Sequence, residues 1–325
     1  MGKKINHSRH GSLQYWPRKR AARQHARVRS FASDKEGFAA FAGFKAGMTH
    51  IQVVDNQKNS PTKGREINVP VTIIECPPLK IIGVRAYKHN TKGYGETAAT
   101  EVRLKSNSKH LERTTTWKPT GSLDKLHPED FTRATLIAHT QPDLAGFGQK
   151  KPQIFEVGFN GSVADTIAFA KEHQEVTVDK ILEPGAFVDA HAVTTGKGFA
   201  GVVKRFGVSL RSHKSEKSNR KAVIGPEGYG KVQYTAPQAG KMGYHLRTEY
   251  NKQIMAIVEP DQVQISGGLV NYGQVKNTTL LVKGSIPGPK KRMVTLVKSM
   301  RQDPKASTQP MEVSHIATRS QQGNN

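Results

Sequence analysis

Short apolar runs separated by turn residues dominate the chain from residue 37 onward. Residues 51–54, 69–76 and 79–84 form three such runs, rich in β-branched side chains, with polar or Pro/Gly-containing links between them. This pattern predicts a β-meander. Cys76, at the end of the second run, is expected to be a small core or strand-end residue.

The same texture returns after residue 185. The further strand candidates are 185–203, 254–265, 269–275, 279–283 and 294–297. The pairs Gly267-Gly268 and Lys276-Asn277 supply turns between them. Strands on both sides of an intervening region predict one β-barrel built from two halves of the chain.

The intervening region has a mixed pattern. Residues 88–107 are polar with glycines and predict a loop, 123–131 give a weak helix signal, and 134–139 and 153–159 predict strands. Ser162 precedes a helix pattern, with Asp165 three residues on and apolar positions on one face. We expect an inserted α+β module here.

These patterns give a mainly β chain with an α/β insertion. The predicted segments are a basic arm (1–36), the first part of the barrel (37–84), the insertion (85–184), the second part of the barrel (185–302) with a basic internal loop (208–246), and a disordered tail (303–325).

The chain is strongly basic, and its positive charge is concentrated in two stretches. The formal net charge is +24. Residues 1–30 hold nine Lys or Arg and no acid, and residues 204–252 hold eleven against three acids. Both stretches have too few apolar residues to order themselves, which predicts that a polyanion, above all RNA, is the partner. Neither has the period of an amphipathic membrane helix, and no apolar run is long enough to span a bilayer.

The sequence lacks the features that would indicate a secreted protein, a metal site or a catalytic site. The single cysteine excludes an internal disulfide, and the N-terminus has no apolar signal segment, so we expect a cytoplasmic protein. The histidines show no HExxH motif and no paired Cys/His spacing. The sequence therefore predicts no metal, no catalytic residue, no cofactor and no small-molecule substrate.

Residues 196–201 satisfy GxGxxG, which raises a nucleotide-using enzyme as an alternative. A dinucleotide site needs this motif between a strand and a helix, with an acid about 20 residues on. Here Val202-Val203 continue strand-like and a basic stretch follows. We expect instead that the glycines allow close backbone approach and that Lys197 faces a phosphate.

Several blocks of the chain resemble a known family. They are GSLQYWPRKRAA at 11–22, GFKAGMTH at 43–50, VPVTIIECPP at 69–78, LIAHTQ at 136–141, VTTGKGFAGVVKRFG at 193–207, GKMGYHLRTEYNK at 240–252 and GGLVNYGQVKNTTLLVKGSIPGPKKR at 267–292. The chain resembles the L-three family of large-subunit ribosomal proteins, in its archaeal and eukaryotic form, over nearly its whole length.

The resemblance implies a β-barrel of the translation-protein type with an α/β insertion and long basic RNA-binding extensions. It also implies binding to large-subunit ribosomal RNA early in assembly, with neighbouring large-subunit proteins as further partners. An internal loop would run toward the peptidyl-transferase centre. Catalysis in that setting belongs to the RNA, so the protein is expected not to be an enzyme.

The expected RNA-binding residues follow from the basic blocks and their aromatics. They are Tyr15, Trp16, Arg18, Lys19, Arg20, Arg23, Lys45, Lys197, Lys204, Arg205, Arg211, His213, Lys214, Lys217, Arg220, Lys221, Tyr229, Lys231, Gln238, Lys241, Tyr244, His245, Arg247, Lys290, Lys291 and Arg292. The cations would neutralise phosphates and the aromatics would stack on bases.

The expected loop tip is Pro226, Glu227, Gly228 and Tyr229. Matching at equal length places Glu227 where the family's loop usually carries a tryptophan. A carboxylate offers no stacking surface and is repelled by phosphates. Tyr229, two residues on, is the candidate replacement. A free-standing nucleic-acid-binding module is the other alternative, although no helix-turn-helix or zipper pattern is visible.

Overall fold

A computed structural model describes residues 9–31, 37–57, 59–91, 93–212, 214 and 230–319 of the 325-residue chain. The chain divides into two compact units. We call Gln24–Ala192 with Arg247–Asn325 the barrel unit, and Met1–Arg23 with Val193–Leu246 the basic unit. Among the described residues, no helix has the length and apolar character needed to cross a membrane.

Strands make up most of the regular structure. They are β1 (Gly37–Phe38), β2 (Ala40–Val54), β3 (Glu66–Glu75), β4 (Leu79–His89), β5 (Glu96–Arg103), β6 (Arg133–His139), β7 (Ile154–Asn160), β8 (Glu175–Val176), β9 (Phe187–Val193), β10 (Phe199–Ala200), β11 (Gly240–Lys241), β12 (Leu246–Val258), β13 (Thr279–Lys283), β14 (Met293–Lys298) and β15 (Val313–Ile316). The α-helices are α1 (Val163–Glu172) and α2 (Val202–Phe206). Single 3-10 turns occur at Leu13–Tyr15, Leu111–Arg113, Leu123–Lys125, Pro128–Asp130, Val178–Lys180 and Pro260–Val263.

Six strands of one sheet form a closed ring. The order is β14-β9-β12-β13-β3-β2, and β14 also pairs with β2, which closes the barrel. Closure removes the free edges that an open sheet would expose. The mainly β fold predicted from the sequence is confirmed, and strands from both halves of the chain build the ring.

Small residues let β2 bend tightly against β3. A Cβ on Gly43 would lie 2.5 Å from Ile74 Cγ2 and 2.9 Å from Cys76 Sγ. The pairing of β2 with β3 also shifts register between Lys45 and Gly47. Bulges and glycines of this kind give a sheet the curvature that closure needs. Cys76 is buried directly after β3, as expected for a strand-end residue.

A second sheet has the order β1-β7-β6-β4-β5, with β8 pairing β4. Helix α1 packs on β4 and β6 and buries Val163, Ile167 and Ala170. Its N-terminus carries a reciprocal capping box between Ser162 and Asp165, so the predicted helix start is confirmed. One continuous hydrophobic core runs through both sheets of the barrel unit.

Three sequence predictions about this unit are wrong. The run 79–84 is not the third strand of a meander with β2 and β3, because it belongs to β4, which pairs with β5, β6 and β8 in the second sheet. Residues 88–107 contain β5, an edge strand whose residues 96–100 are exposed, so its sequence lacks apolar alternation. Residues 269–275 form no strand, since Asn271 (φ 59°) and Gly273 (φ 113°) turn the chain and only a bridge from Leu269 to Gly273 forms.

The predicted disordered tail is also wrong within the described residues. β15 (Val313–Ile316) pairs with β2 through Val53, Gln52 and Ile51. In this edge strand Val313 and Ile316 pack against the hydrophobic core, while Ser314 and His315 are exposed.

Candidate nucleic-acid interface

Positive charge is concentrated in the basic unit. Its 77 residues contain seventeen Lys or Arg and two acids, whereas the barrel unit contains 33 Lys or Arg and 24 acids. The two acids, Glu216 and Glu227, lie outside the described residues. The described part of the basic unit therefore holds twelve Lys or Arg and no carboxylate side chain. An excess of cations over carboxylates among the described residues favours a polyanionic ligand.

The arm folds onto a small apolar cluster in this unit. Val202, Phe206 and Val208 are buried together, and Trp16 packs against them. The Trp16 and Phe206 rings stack with centroids 5.7 Å apart. Trp16 was predicted to stack on a base, but the structure uses one face of its ring to hold the arm.

Arg18 and Arg205 both bracket Phe206. Their guanidinium carbons lie 4.3 and 5.1 Å from the ring centroid. Arg18 Nη1 donates to Arg205 O, and Arg205 Nη2 donates to Arg18 O at 3.3 Å. Arg205 Nη1 donates to Gln238 O at 2.9 Å. These two predicted phosphate contacts therefore have structural roles, joining arm to loop.

His245 is another predicted contact with a structural role. It is buried, and its Nδ1 lies 2.8 Å from the Lys19 carbonyl oxygen. Thr194 and His245 are also joined by a backbone hydrogen bond of 2.9 Å. Close by, Ala21 N donates to Tyr244 O at 2.8 Å. The arm is thus hydrogen-bonded to the returning side of the loop.

Ten basic side chains of the unit are exposed. They are Arg9, Lys19, Arg20, Arg23, Lys197, Lys204, Arg211, Lys214, Lys231 and Lys241. All except Arg9 were predicted from the sequence. Gln238 and Tyr15 are also exposed, and Tyr244 is half-buried with a left-handed backbone at φ 55°.

The predicted cations of the barrel unit are largely used within the fold. Lys45 Nζ donates to Ile286 O at 2.7 Å and Gly288 O at 3.1 Å, and burial lowers the pKa of its ammonium group. Lys290 Nζ donates to Val270 O at 2.7 Å, and the guanidinium of buried Arg292 donates to a carbonyl at 3.4 Å.

These side chains hold the Pro/Gly loop at 284–292 by satisfying main-chain carbonyls. In contrast, Lys291 is exposed and Arg247 is half-buried. Of the five cations predicted on the barrel unit, three are therefore engaged within the fold. Lys291 and Arg247 remain as candidate RNA contacts.

Part of the predicted site lies outside the described residues. This applies to His213, Lys217, Arg220, Lys221 and Tyr229, and to Pro226, Glu227 and Gly228 of the expected loop tip. Their assignment remains a prediction from the sequence.

Sequence reasoning missed two exposed aromatic side chains of the basic unit. Phe199 is 76 % exposed and Tyr234 is 85 % exposed. Phe199 lies inside the GxGxxG segment, which was interpreted through its glycines and Lys197 and not through its aromatic ring. The available signal was an aromatic residue flanked by small residues and by lysine at 197.

A concave pocket of about 400 Å³ opens in the same unit. Its lining residues are Arg20, Ala21, Ala22, Gly196, Gly198, Lys241, Met242, Gly243 and Tyr244. Gly243 is required there, since a Cβ would lie 2.1 Å from Thr195 O and the residue has φ 75°. The backbone of the loop therefore passes closely behind the pocket.

The GxGxxG segment does not have the architecture of a dinucleotide site. β10 runs through the motif itself, and the following α2 has only five residues. The prediction that Val202-Val203 continue as a strand is wrong, because both residues belong to α2. No acid follows within the described part of the unit. Among described residues, no group of three or more His, Cys, Asp or Glu is placed to hold a metal ion.

Comparison with known proteins agrees with these features. A family model described as "Ribosomal protein L3" matches residues 1–323. The chain is 43 % identical over 330 residues to "Large ribosomal subunit protein uL3" of Methanothermobacter thermautotrophicus, covering 97 % of this chain and 98 % of the relative. The protein with the same description from Methanosphaera stadtmanae is 40 % identical, at the same coverage, and that from Methanococcus vannielii is 40 % identical over 100 % of both chains.

Proposed function

The chain belongs to the ribosomal protein L3 family, and from this premise we propose that its basic unit binds ribosomal RNA of the large subunit. It is a structural protein of the large ribosomal subunit and not an enzyme. Its place is therefore the ribosome, in the cytoplasm, with ribosomal RNA and other ribosomal proteins as partners.

The observation that carries the proposal is the concentration of exposed cations among the described residues of the basic unit. Ten exposed Lys and Arg face solvent there, and none of the residues described in this unit is an acid. Neutralising phosphates with such cations releases counterions, so affinity rises with the number of contacts and falls steeply with salt. A neutral or basic partner would gain nothing from this arrangement.

Order in the arm supports the same function. Lys19, Arg20 and Arg23 extend from a backbone that is fixed by Trp16 and by the Ala21–Tyr244 hydrogen bond. Because the arm is held in place, less conformational entropy is lost when these side chains meet RNA. The structural roles of Arg18 and His245 thus contribute indirectly to the interface.

We further infer that the internal loop extends the interface toward the peptidyl-transferase centre and supports early subunit assembly. The support is the family resemblance together with charge. Residues 213–229 contain four Lys or Arg and two acids, and they follow the cationic surface directly in sequence. Neighbouring large-subunit proteins are the further partners in this proposal.

Sedimentation of tagged protein through a sucrose gradient tests the proposal. Wild type is compared with a variant in which residues 213–229 are replaced by a short Gly/Ser linker. This replacement leaves β11 and the contacts of Arg205 and His245 in place. The matched control shortens residues 90–95, the hairpin tip between β4 and β5 of the barrel unit.

Wild type and control should travel with the large subunit and resist a moderate salt wash. If the loop supports assembly, the loop variant should shift toward lighter, incomplete particles. If it acts only after assembly, the variant should sediment normally while translation slows. Wild type remaining at the top of the gradient, with ribosomes intact, would refute the proposed function.

A further inference from the structure

The two-stranded ribbon of the basic unit presents an aromatic ring beside a cation. β10 and β11 are antiparallel, with Phe199 directly opposite Lys241 and Ala200 opposite Gly240. Side chains directly opposite each other on such a pair project from the same face, with Cβ atoms about 5 Å apart. Phe199 and Lys241 are both exposed. The ring and the ammonium group are therefore neighbours on one solvent-facing surface.

The exposure of Phe199 has no explanation in the packing of the unit. The ring is 76 % exposed, whereas Phe206, seven residues on, is buried in the apolar cluster. Single exposed apolar residues are common on protein surfaces and need no function by themselves. Phe199 differs because the cation Lys241 lies directly opposite it on the ribbon and its neighbours in sequence are Gly198 and Ala200.

The backbone holds this ring in a defined position. Lys197 N donates to Met242 O and Met242 N donates to Gly198 O, each at 2.9 Å. These bonds continue the ribbon past Phe199 on its N-terminal side. A ring on a fixed backbone loses little conformational entropy when a flat ligand stacks on it, and a phenylalanine has only two side-chain torsions to restrict.

The pocket adjoins the same ribbon. Gly198 and Lys241 belong to its lining, next to Met242 and Tyr244. Lys241 therefore stands between the exposed ring and the concavity. A ligand that has a flat apolar group and an anionic group fits this arrangement, with the flat group on Phe199 and the anion at Lys241.

We propose that Phe199 is a stacking platform for an unpaired nucleotide of RNA, with Lys241 bound to the adjoining phosphate. The proposal rests on the proposed function and adds a specific kind of RNA to it. Bases within an A-form duplex are stacked on each other and offer no free face, whereas unpaired bases stack on aromatic side chains. The ring therefore discriminates unpaired RNA from duplex RNA, which the surrounding cations alone do not.

Binding of two RNA probes to the full-length protein tests this assignment. The probes are a fluorescein-labelled single strand of ten adenylates and a labelled ten-base-pair RNA duplex, each titrated at several KCl concentrations. The variants are Phe199→Leu, Phe199→Trp and Lys241→Gln. The control is Tyr94→Leu, which removes a fully exposed aromatic ring from the barrel unit.

Phe199→Leu should weaken binding of the single strand about tenfold or more while leaving its salt slope and the duplex affinity unchanged. Phe199→Trp should bind the single strand as wild type does. Lys241→Gln should lower the salt slope for the single strand by about 0.7, because one phosphate contact is lost. Tyr94→Leu should match wild type throughout.

Equal affinity of Phe199→Leu and wild type for the single strand would overturn the inference, as would equal losses on both probes. Either result leaves the proposed function intact, provided that wild type still binds RNA with a steep salt dependence. Failure of wild type to bind either probe would instead contradict the proposed function itself.

Discussion

Phe206 is the side chain on which the arm is ordered. Trp16 stacks on it at 5.7 Å, and Arg18 and Arg205 lie over its ring. The two arginines also donate to each other's carbonyl oxygens, so ring contacts and hydrogen bonds reinforce one another. One buried aromatic residue thus fixes a segment that contains few other apolar side chains.

Phe206→Ala should release the arm. Loss of a buried aromatic ring from this small cluster should lower the local stability of the arm by about 2 kcal/mol. The population of the open arm should then rise about 30-fold, and proteolytic cleavage within the arm should become faster by the same factor. Limited trypsin digestion, followed by mass spectrometry of cleavage after Lys19, Arg20 and Arg23, measures this. Tyr15→Ala, in the same arm but exposed, is the control. An unchanged cleavage rate in Phe206→Ala would show that the cluster does not order the arm.

Other single residues show what charge alone cannot predict. Lys45, Lys290 and Arg292 have the residue type and sequence setting of phosphate contacts, yet they donate to carbonyl oxygens of the barrel unit. These carbonyl partners cannot be identified from the local sequence, because loop 284–292 is more than 230 residues from Lys45 and approaches it only in the folded chain. Phe199 was missed for the converse reason, since its exposure is a property of the fold.

His139 makes the stability of the protein depend on pH. Burial lowers the pKa of its imidazole below the ordinary value of about 6.5, and Ser108 Oγ lies 2.8 Å from its Nε2. The folded state therefore keeps the ring neutral while the unfolded state takes up a proton below about pH 6.5. This contribution is fully present above that pH and is lost as pH falls through the lowered pKa.

Urea unfolding of wild type and His139→Gln between pH 7.5 and 5 measures the effect. Wild type should lose free energy of unfolding as pH falls, and His139→Gln should lose less over the same range. The substitution is expected to lower stability at pH 7.5, so the informative quantity is the slope with pH. A parallel pH dependence in the two proteins would exclude His139 as a source.

At the scale of elements, local signals predicted well and long-range pairing did not. α1 was predictable because Ser162, Asp165 and the apolar face are close in sequence. The strands β3, β13 and β14 were visible as apolar runs, whereas only the last four residues of β2 were predicted as a strand. β5 was not visible because most of it is exposed and polar, and β15 because it has only four residues. The placement of β4 in the second sheet was not visible either. That choice depends on partners such as β6, about 50 residues away.

The segment after Gly267 shows how a loop replaces a predicted strand. Buried Glu75 accepts hydrogen bonds from Tyr272 Oη at 2.5 Å, Lys276 N at 2.8 Å and Asn277 Nδ2 at 2.7 Å. Burial and the nearby carboxylate raise the pKa of Tyr272 well above its ordinary value, so its hydroxyl stays protonated and donates. A single carboxylate at the end of β3 therefore fixes this loop.

Tyr272→Phe should destabilise the protein by about 2 kcal/mol, since a buried hydrogen bond to a charged acceptor is lost. Denaturant unfolding at pH 7 measures the free energy of unfolding. Tyr250→Phe is the control, because that ring is half exposed and removal of its hydroxyl should change stability little. Equal stability of Tyr272→Phe and wild type would mean that the carboxylate is satisfied by its other donors.

At the scale of the whole molecule, charge and fold are divided between the two units. The barrel unit contains 33 Lys or Arg and 24 acids, and it forms ion pairs such as Arg85 with Glu156 and Arg133 with Glu96. The described residues of the basic unit include no Asp or Glu, and ten of their Lys and Arg side chains are exposed. The sequence predicted this division from two basic stretches, but it did not predict that the arm up to Arg23 belongs to one unit with the described part of the loop.

The salt dependence of binding to deproteinised large-subunit ribosomal RNA tests most directly whether the basic unit carries RNA binding. One variant changes Lys19, Arg20, Arg23, Lys197 and Lys204 to Gln. The charge-matched control changes Lys105, Lys109, Arg113, Lys118 and Lys125 of the barrel unit, all exposed, to Gln. Filter binding over a range of KCl gives the affinity and its salt slope.

Five lost phosphate contacts should weaken binding at least a hundredfold near 0.1 M salt and reduce the salt slope by about 4, roughly 0.7–0.9 per contact. The control variant should bind RNA with an affinity within about threefold of wild type. Its salt slope should differ from that of wild type by less than about 0.9, the value of one phosphate contact. Equal losses in the two variants would mean that total charge, and not the basic unit, determines binding. That result would contradict the account.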